Sequence, residues 1–139
     1  LVKAPDLPAI NLAECCYESM FDGCTALVDV HALSATYAEP GCYQAMFRGC
    51  EALTNAPEIF LTNIEDAYQC LVEMFKGCKS LNYIKIHYTG DLPTQTYSTK
   101  DWLYGVSNYG DAYFNGTVQG IGTGDSIPPA WLRHNFEEG

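Results

Sequence analysis

The chain has 139 residues, of which 47% are hydrophobic and 17% charged, so it is too apolar for a disordered segment and suits one compact domain or a short repeat array. Seven Lys+Arg stand against seventeen Asp+Glu, a formal net charge of −10 that repels phosphate backbones and anionic lipid and makes nucleic acid and membrane surfaces poor partners. No uninterrupted apolar run is long enough for a membrane-spanning helix, so membrane insertion of this segment is not expected.

Self-similarity organises the chain. Cys16-Tyr17-Glu18-Ser19-Met20-Phe21-Asp22-Gly23-Cys24 returns 26 residues later as Cys42-Tyr43-Gln44-Ala45-Met46-Phe47-Arg48-Gly49-Cys50. It returns again, 28 residues further on, as Cys70-Leu71-Val72-Glu73-Met74-Phe75-Lys76-Gly77-Cys78. The flanking cysteines and the Met, Phe and Gly keep their places in all three copies, and each copy is followed by a leucine: Leu27, Leu53 and Leu81. Projection backward lands on Leu1. Projection forward lays Trp102-Leu103-Tyr104-Gly105-Val106 on Met74-Phe75-Lys76-Gly77-Cys78 and Tyr109 on Leu81, so a worn fourth unit is expected over Ser98 to Phe114.

Each unit reads as helix, turn, strand. Asn11 with Glu14 resembles a capping box, and Leu12, Cys16 and Met20 make an apolar stripe at helical spacing. Pro40 suits the first turn of the second helix, and Thr62 with Glu65 and Ser98 with Asp101 open the third and fourth. Gly23, Gly49, Gly77 and Gly105 fall where a left-handed helix end is wanted. A short strand follows each glycine; Leu81 to Ile86, for instance, alternates with period two. Helices this short bury their stripe only by stacking unit on unit. The expected fold is therefore α/β: a right-handed leucine-rich-repeat solenoid with a short parallel sheet on one face, short helices on the other, and an irregular C-terminal cap. Its array spans residues 1–115, in units near 1–27, 28–53, 54–81 and 82–115, with a cap or tail over 116–139. Ala4, Val30, Ala56, Ile84 and Ala112 form one expected ladder, and Cys24, Cys50, Cys78 and Val106 another.

The Phe-x-Gly-Cys-x-x-Leu strings, the Ala56-Pro57 that follows one of them, and the closing Ser126-Ile127-Pro128-Pro129-Ala130-Trp131 resemble the BspA-like leucine-rich repeat family of bacterial surface proteins. The likeness covers roughly residues 1 to 115. It departs at Val30-His31-Ala32-Leu33-Ser34, in the longer third helix, and in the eroded fourth unit. The resemblance implies a secreted or cell-surface protein engaged in adhesion and protein binding, without a shared catalytic motif.

Seven cysteines without a C-x-x-C pair give no zinc signature, and no metal or cofactor is expected. Their stacking suggests buried reduced thiols acting as small apolar residues, with Cys15 the most exposed. His31, His87 and His134 share no motif, and no nucleophile elbow, P-loop or dinucleotide fingerprint occurs, so the chain is not expected to be an enzyme. Gly120 to Gly124 reads as a loop. Tyr83, Tyr88, Tyr97, Tyr104, Tyr109 and Tyr113 crowd one stretch, as a cap over the open end or as a binding patch. Met20, Phe21, Met46, Phe47, Met74 and Phe75 are expected in the core.

With Leu81, Ile84 and Ile86 inward, alternation turns Tyr83, Lys85 and His87 outward, beside Asp29 and His31, Asn55 and Pro57, and Asp111 and Tyr113. This mixed aromatic and polar row is the expected binding surface for a protein or glycan on a host or neighbouring cell. A structural spacer or virion-fibre segment without its own ligand is the alternative. Leu1 falls in mid-unit and no leader is read in the visible start, so a longer array, or end-to-end self-association through an uncapped N-terminal coil, is also expected.

Overall fold

The computed structural model describes residues 2–5, 17–35, 39–60, 70–87, 100–114, 128 and 130–135. Three four-residue strands, β1 (Tyr83–Ile86), β2 (Asp111–Phe114) and β3 (Leu132–Asn135), form a parallel sheet in the order β1-β2-β3. Tyr83 pairs with Asp111 and Asp111 with Leu132; Lys85 pairs with Tyr113 and Tyr113 with His134. Isolated parallel bridges extend the pattern upstream, Asn55 to Tyr83, Ile59 to Ile86, Leu33 to Ile59, and Lys3 to Asp29.

The expected leucine-rich-repeat solenoid with short helices is overturned: none of the described residues is helical, and the Met-Phe-x-Gly-Cys segments are runs of turns. Two features explain why. Ser19, Ala45, Glu73 and Asp101 hold φ between 52° and 57°, left-handed backbone that an α-helix cannot contain. The glycine four residues on, Gly23, Gly49, Gly77 or Gly105, is left-handed again at φ of 74° to 80°. The N–H groups then part company along the segment. Those of Met46, Arg48 and Cys50 reach back three residues, to Tyr43, Ala45 and Phe47. Those of Tyr43, Ala45, Phe47 and Gly49 donate instead to the next copy, to the carbonyls of Cys70, Val72, Met74 and Lys76. The first copy donates in the same way to the second, from Tyr17, Ser19, Phe21 and Gly23 to Cys42, Gln44, Met46 and Arg48. The same pattern continues into the fourth segment, from Glu73, Phe75 and Gly77 to Lys100, Trp102 and Tyr104. Backbone groups that a helix would satisfy locally are thus satisfied between copies. The caps expected at Asn11, Thr62 and Ser98, the stripe residues Leu12 and Cys16, and Cys15, Tyr88, Tyr97 and Gly120 to Gly124 lie outside the described residues.

The core runs along the stack. Leu27, Leu53 and Leu81 are fully buried, as are Met46, Phe75, Cys78, Ile84 and Ile86. Phe21, Phe47 and Phe75 stack at ring separations of 5.5 and 5.6 Å, and Trp102 continues the row at 6.5 Å. Cys24, Cys50 and Cys78 are thiols without a disulfide. The sulfurs of Cys50 and Cys78 lie 3.2 and 3.0 Å from the carbonyl oxygens of Phe21 and Phe47 in the preceding copies, as donors. Burial pushes both thiols up to about 12.

One expected core position fails, and one aligned position differs. Met20 is 45% exposed, because among the described residues the first copy has a stacked copy on one side only. Tyr109, aligned on buried Leu81, is 74% exposed. The buried aromatic near that corner is Trp131, whose Nε1 donates to the Ser107 carbonyl at 2.8 Å. Its ring lies so close to Gly110 that a Cβ there would meet Trp131 Cε2 at 2.8 Å and the Asn82 carbonyl oxygen at 2.5 Å. The tail expected to be irregular therefore supplies both a buried anchor and a strand.

Candidate binding surface on the outer sheet face

Strand alternation builds the surface. Along β1, Ile84 and Ile86 are buried while Tyr83 and Lys85 are half-buried on the opposite face. Strand pairing then sets Tyr83 beside Asn55 on one side and Asp111 on the other, with Leu132 beyond. In the neighbouring row the Tyr113 ring sits 5.3 Å from Tyr83 and stacks on His134 at 4.4 Å. His134 Nε2 is 2.9 Å from Asp111 Oδ1, so the imidazole is held between a ring and a carboxylate. Burial, and then the charges of the neighbouring acidic groups, raise the Tyr83 phenol above its ordinary value. Like any tyrosine of ordinary value or above, it is a neutral hydroxyl through the physiological range.

The upstream end of the face has a second histidine–carboxylate pair. His87 Nε2 lies 2.6 Å from Glu58 Oε2, and its ring stacks on Phe60 at 4.4 Å. Lys3 Nζ lies 3.7 Å from Asp29 Oδ2 at the first rung.

Two open grooves cross this face. The larger, about 590 Å³, is lined by Asn55, Asn82, Tyr83, Tyr109, Asp111 and Leu132, among others. The smaller, about 390 Å³, has Asp29, Asn55, Glu58, Tyr83 and Lys85 on its walls. Asn55 and Tyr83 line both, so the two grooves adjoin across the strands and together are called the trough.

The structure thus brings together Asp29, Asn55, Tyr83, Lys85 and Asp111 from the row expected to bind, with Tyr113 packed against Tyr83. Pro57 is buried beside the smaller groove. His87 stands apart against Glu58 and Phe60, and His31 is exposed and lines neither groove. The row expected to bind omitted Asn82 and Leu132, while Tyr109 stood in the tyrosine cluster expected as a cap or a binding patch. Asn82 lay inside the expected Leu81 to Ile86 strand, whereas β1 begins at Tyr83, and Leu132 comes from the tail. A polar residue beside a predicted strand start was the one available signal.

Among the described residues, no group of three or more His, Cys, Asp or Glu side chains is placed to hold a metal ion. Nor is any helix among them long and apolar enough to cross a membrane. The face offers aromatic surfaces, side-chain amides and engaged carboxylates, which suit hydrogen bonding and stacking. The chain matches no protein-family model, no curated protein and no solved structure.

Proposed function

We propose that this chain is a non-catalytic binding module whose ligand surface is the outer face of the sheet, with a protein or glycan as its partner. One observation carries the reading: the trough shared by Asn55 and Tyr83 exposes Tyr109 and Leu132 at 74% and 63%, beside polar groups, on the face opposite the core. Large apolar side chains turned to solvent beside hydrogen-bonding groups are the composition of recognition surfaces. The repeat strings that resemble the BspA-like family add support for adhesion, and with it for a secreted or cell-surface setting.

The test is an array of purified extracellular proteins and glycans probed with the intact chain. Comparison chains are the Tyr83→Ala, Tyr113→Ala double variant and Glu18→Ala on the turn side. Saturable binding that the double variant loses and Glu18→Ala keeps, with both folded by circular dichroism, supports the reading. Absence of saturable binding, or equal binding by both variants, overturns it.

A further inference from the structure

We infer that the trough takes a neutral oligosaccharide, lying across the strands over Tyr109 and Tyr83 with its hydroxyls on Asn55 and Asn82. The inference rests on the binding-face reading above and narrows it to one ligand chemistry.

Charge comes first. Each carboxylate on the trough's walls is already engaged: Asp29 by Lys3 at 3.7 Å, Glu58 by His87 at 2.6 Å, and Asp111 by His134 at 2.9 Å. Each contact occupies one oxygen of its carboxylate, so a cationic ligand would share these groups with partners already in place. An anionic ligand, such as a sulfated or uronic-acid chain, meets three carboxylates on a molecule of net charge −10. The trough therefore disfavours an anionic ligand, and a lysine-rich peptide is the cationic competitor to the neutral sugar.

Lys85 stands on the wall of the smaller groove; in the larger groove the polar groups beside Asp111 are amides and phenols. Asn55 and Asn82 both have exposed positions, and each side chain carries two donors and an acceptor with two lone pairs. A sugar hydroxyl both donates and accepts, so neighbouring hydroxyls match an amide in either orientation. The Tyr83 phenol, neutral at physiological pH, adds another group that can do both.

The apolar groups fit the same ligand. Tyr109 and Leu132 give exposed apolar surface in the groove that Tyr83 also lines, suited to the C–H face of a pyranose ring. An extended peptide is served less well. Such a peptide gains most of its affinity by pairing with the backbone along a strand edge, whereas this trough runs over side chains and across strands. A folded protein partner calls for a buried central anchor pocket, and this groove is open.

The test is an NMR titration of the intact chain, following tyrosine ring and asparagine side-chain signals. The probes are linear neutral oligosaccharides of gluco, galacto and manno configuration, with a lysine-rich peptide as the contrasting probe. The expected result is saturable movement of the Tyr83, Tyr109, Asn55 and Asn82 signals with at least one sugar. The apparent affinity should change less than about twofold between about 0.05 and about 0.5 M salt, since no charge pair forms. It should fall about tenfold in Tyr109→Ala, the loss of one aromatic contact, while Tyr104→Ala, also an exposed tyrosine, leaves it unchanged. Movement with the peptide and none with any sugar overturns the glycan inference and leaves the binding face standing. No movement with either probe overturns the glycan inference, and the array then decides whether the face binds anything at all.

Discussion

The Arg48 guanidinium donates from Nη1 to Glu73 Oε1 at 2.7 Å, while its other edge holds both oxygens of Asp22. One side chain of the second copy thus ties the first copy to the third. Burial alone would raise the Glu73 carboxyl, but hydrogen bonds from Arg48 and Lys76 outweigh it and hold the group below its ordinary value of 4.5. A carboxylate depressed by folding contributes stability that is present above its unfolded value and lost as pH falls through its folded one. Glu73→Gln should therefore cost stability at neutral pH, by no more than about 1 kcal/mol for a pair this accessible to water. It should also flatten the decline below pH 4.5. Urea midpoints across that range check both, and parallel curves for parent and variant would refute the coupling.

Phe47 is 1% exposed and sandwiched between Phe21 and Phe75. Phe47→Ala should destabilise by about 3–5 kcal/mol, the range for truncating a core aromatic. A loss under about 1 kcal/mol in denaturant unfolding would mean that the ring row contributes little to the core.

Two glycines separate two causes of strain. A Cβ at Gly77 would stand an ordinary 3.8 Å from Gly49, so Gly77→Ala suffers only from its φ of 77°, about 1–2 kcal/mol. A Cβ at Gly110 would meet the Asn82 carbonyl oxygen at 2.5 Å, and backbone must move. Gly110→Ala should cost more, about 3 kcal/mol, the upper end of ordinary overpacking. Thermal or urea unfolding that ranked the two the other way would contradict the close packing at β1.

The Cys50 and Cys78 thiols sit near 12 in the fold against an ordinary 9.0. A proton-bearing form favoured by folding contributes stability that is full below the unfolded value and declines as pH rises toward the folded one. Stability should therefore fall between pH 9.0 and about 12, less steeply in Cys78→Ser. At neutral pH both thiols should react with a maleimide only as fast as the chain opens. Immediate labelling of Cys78 in the native state would contradict the burial.

The apolar ladders were legible in the sequence because identical residues recur at equal positions. Leu27, Leu53 and Leu81, and the phenylalanines beside them, show it. The outer row was legible through the two-residue alternation that leads from Ile84 to Tyr83 and Lys85. The local backbone was not. Ser19, Ala45, Glu73 and Asp101 share a left-handed φ without sharing a side chain, and no propensity marks it. An apolar stripe at helical spacing is satisfied equally by turns whose alternate N–H groups bond forward to the next copy, a long-range choice that local pattern does not encode. The exposure of Tyr109, although it aligns on buried Leu81, has a related cause. Trp131, distant in sequence, is the buried aromatic beside Gly110 at that corner.

The forward-pointing N–H groups give every unit a direction. Phe21 donates to Met46, Phe47 to Met74, and Phe75 to Trp102, always toward the later copy. In this row one side of each turn segment presents donors and the other presents acceptors. An inserted unit grafted in the same sense would find its partners already aligned on both sides. A unit turned end for end would set donor against donor and acceptor against acceptor. The row can be lengthened by copying, and its polarity forbids a mirror-like join within it.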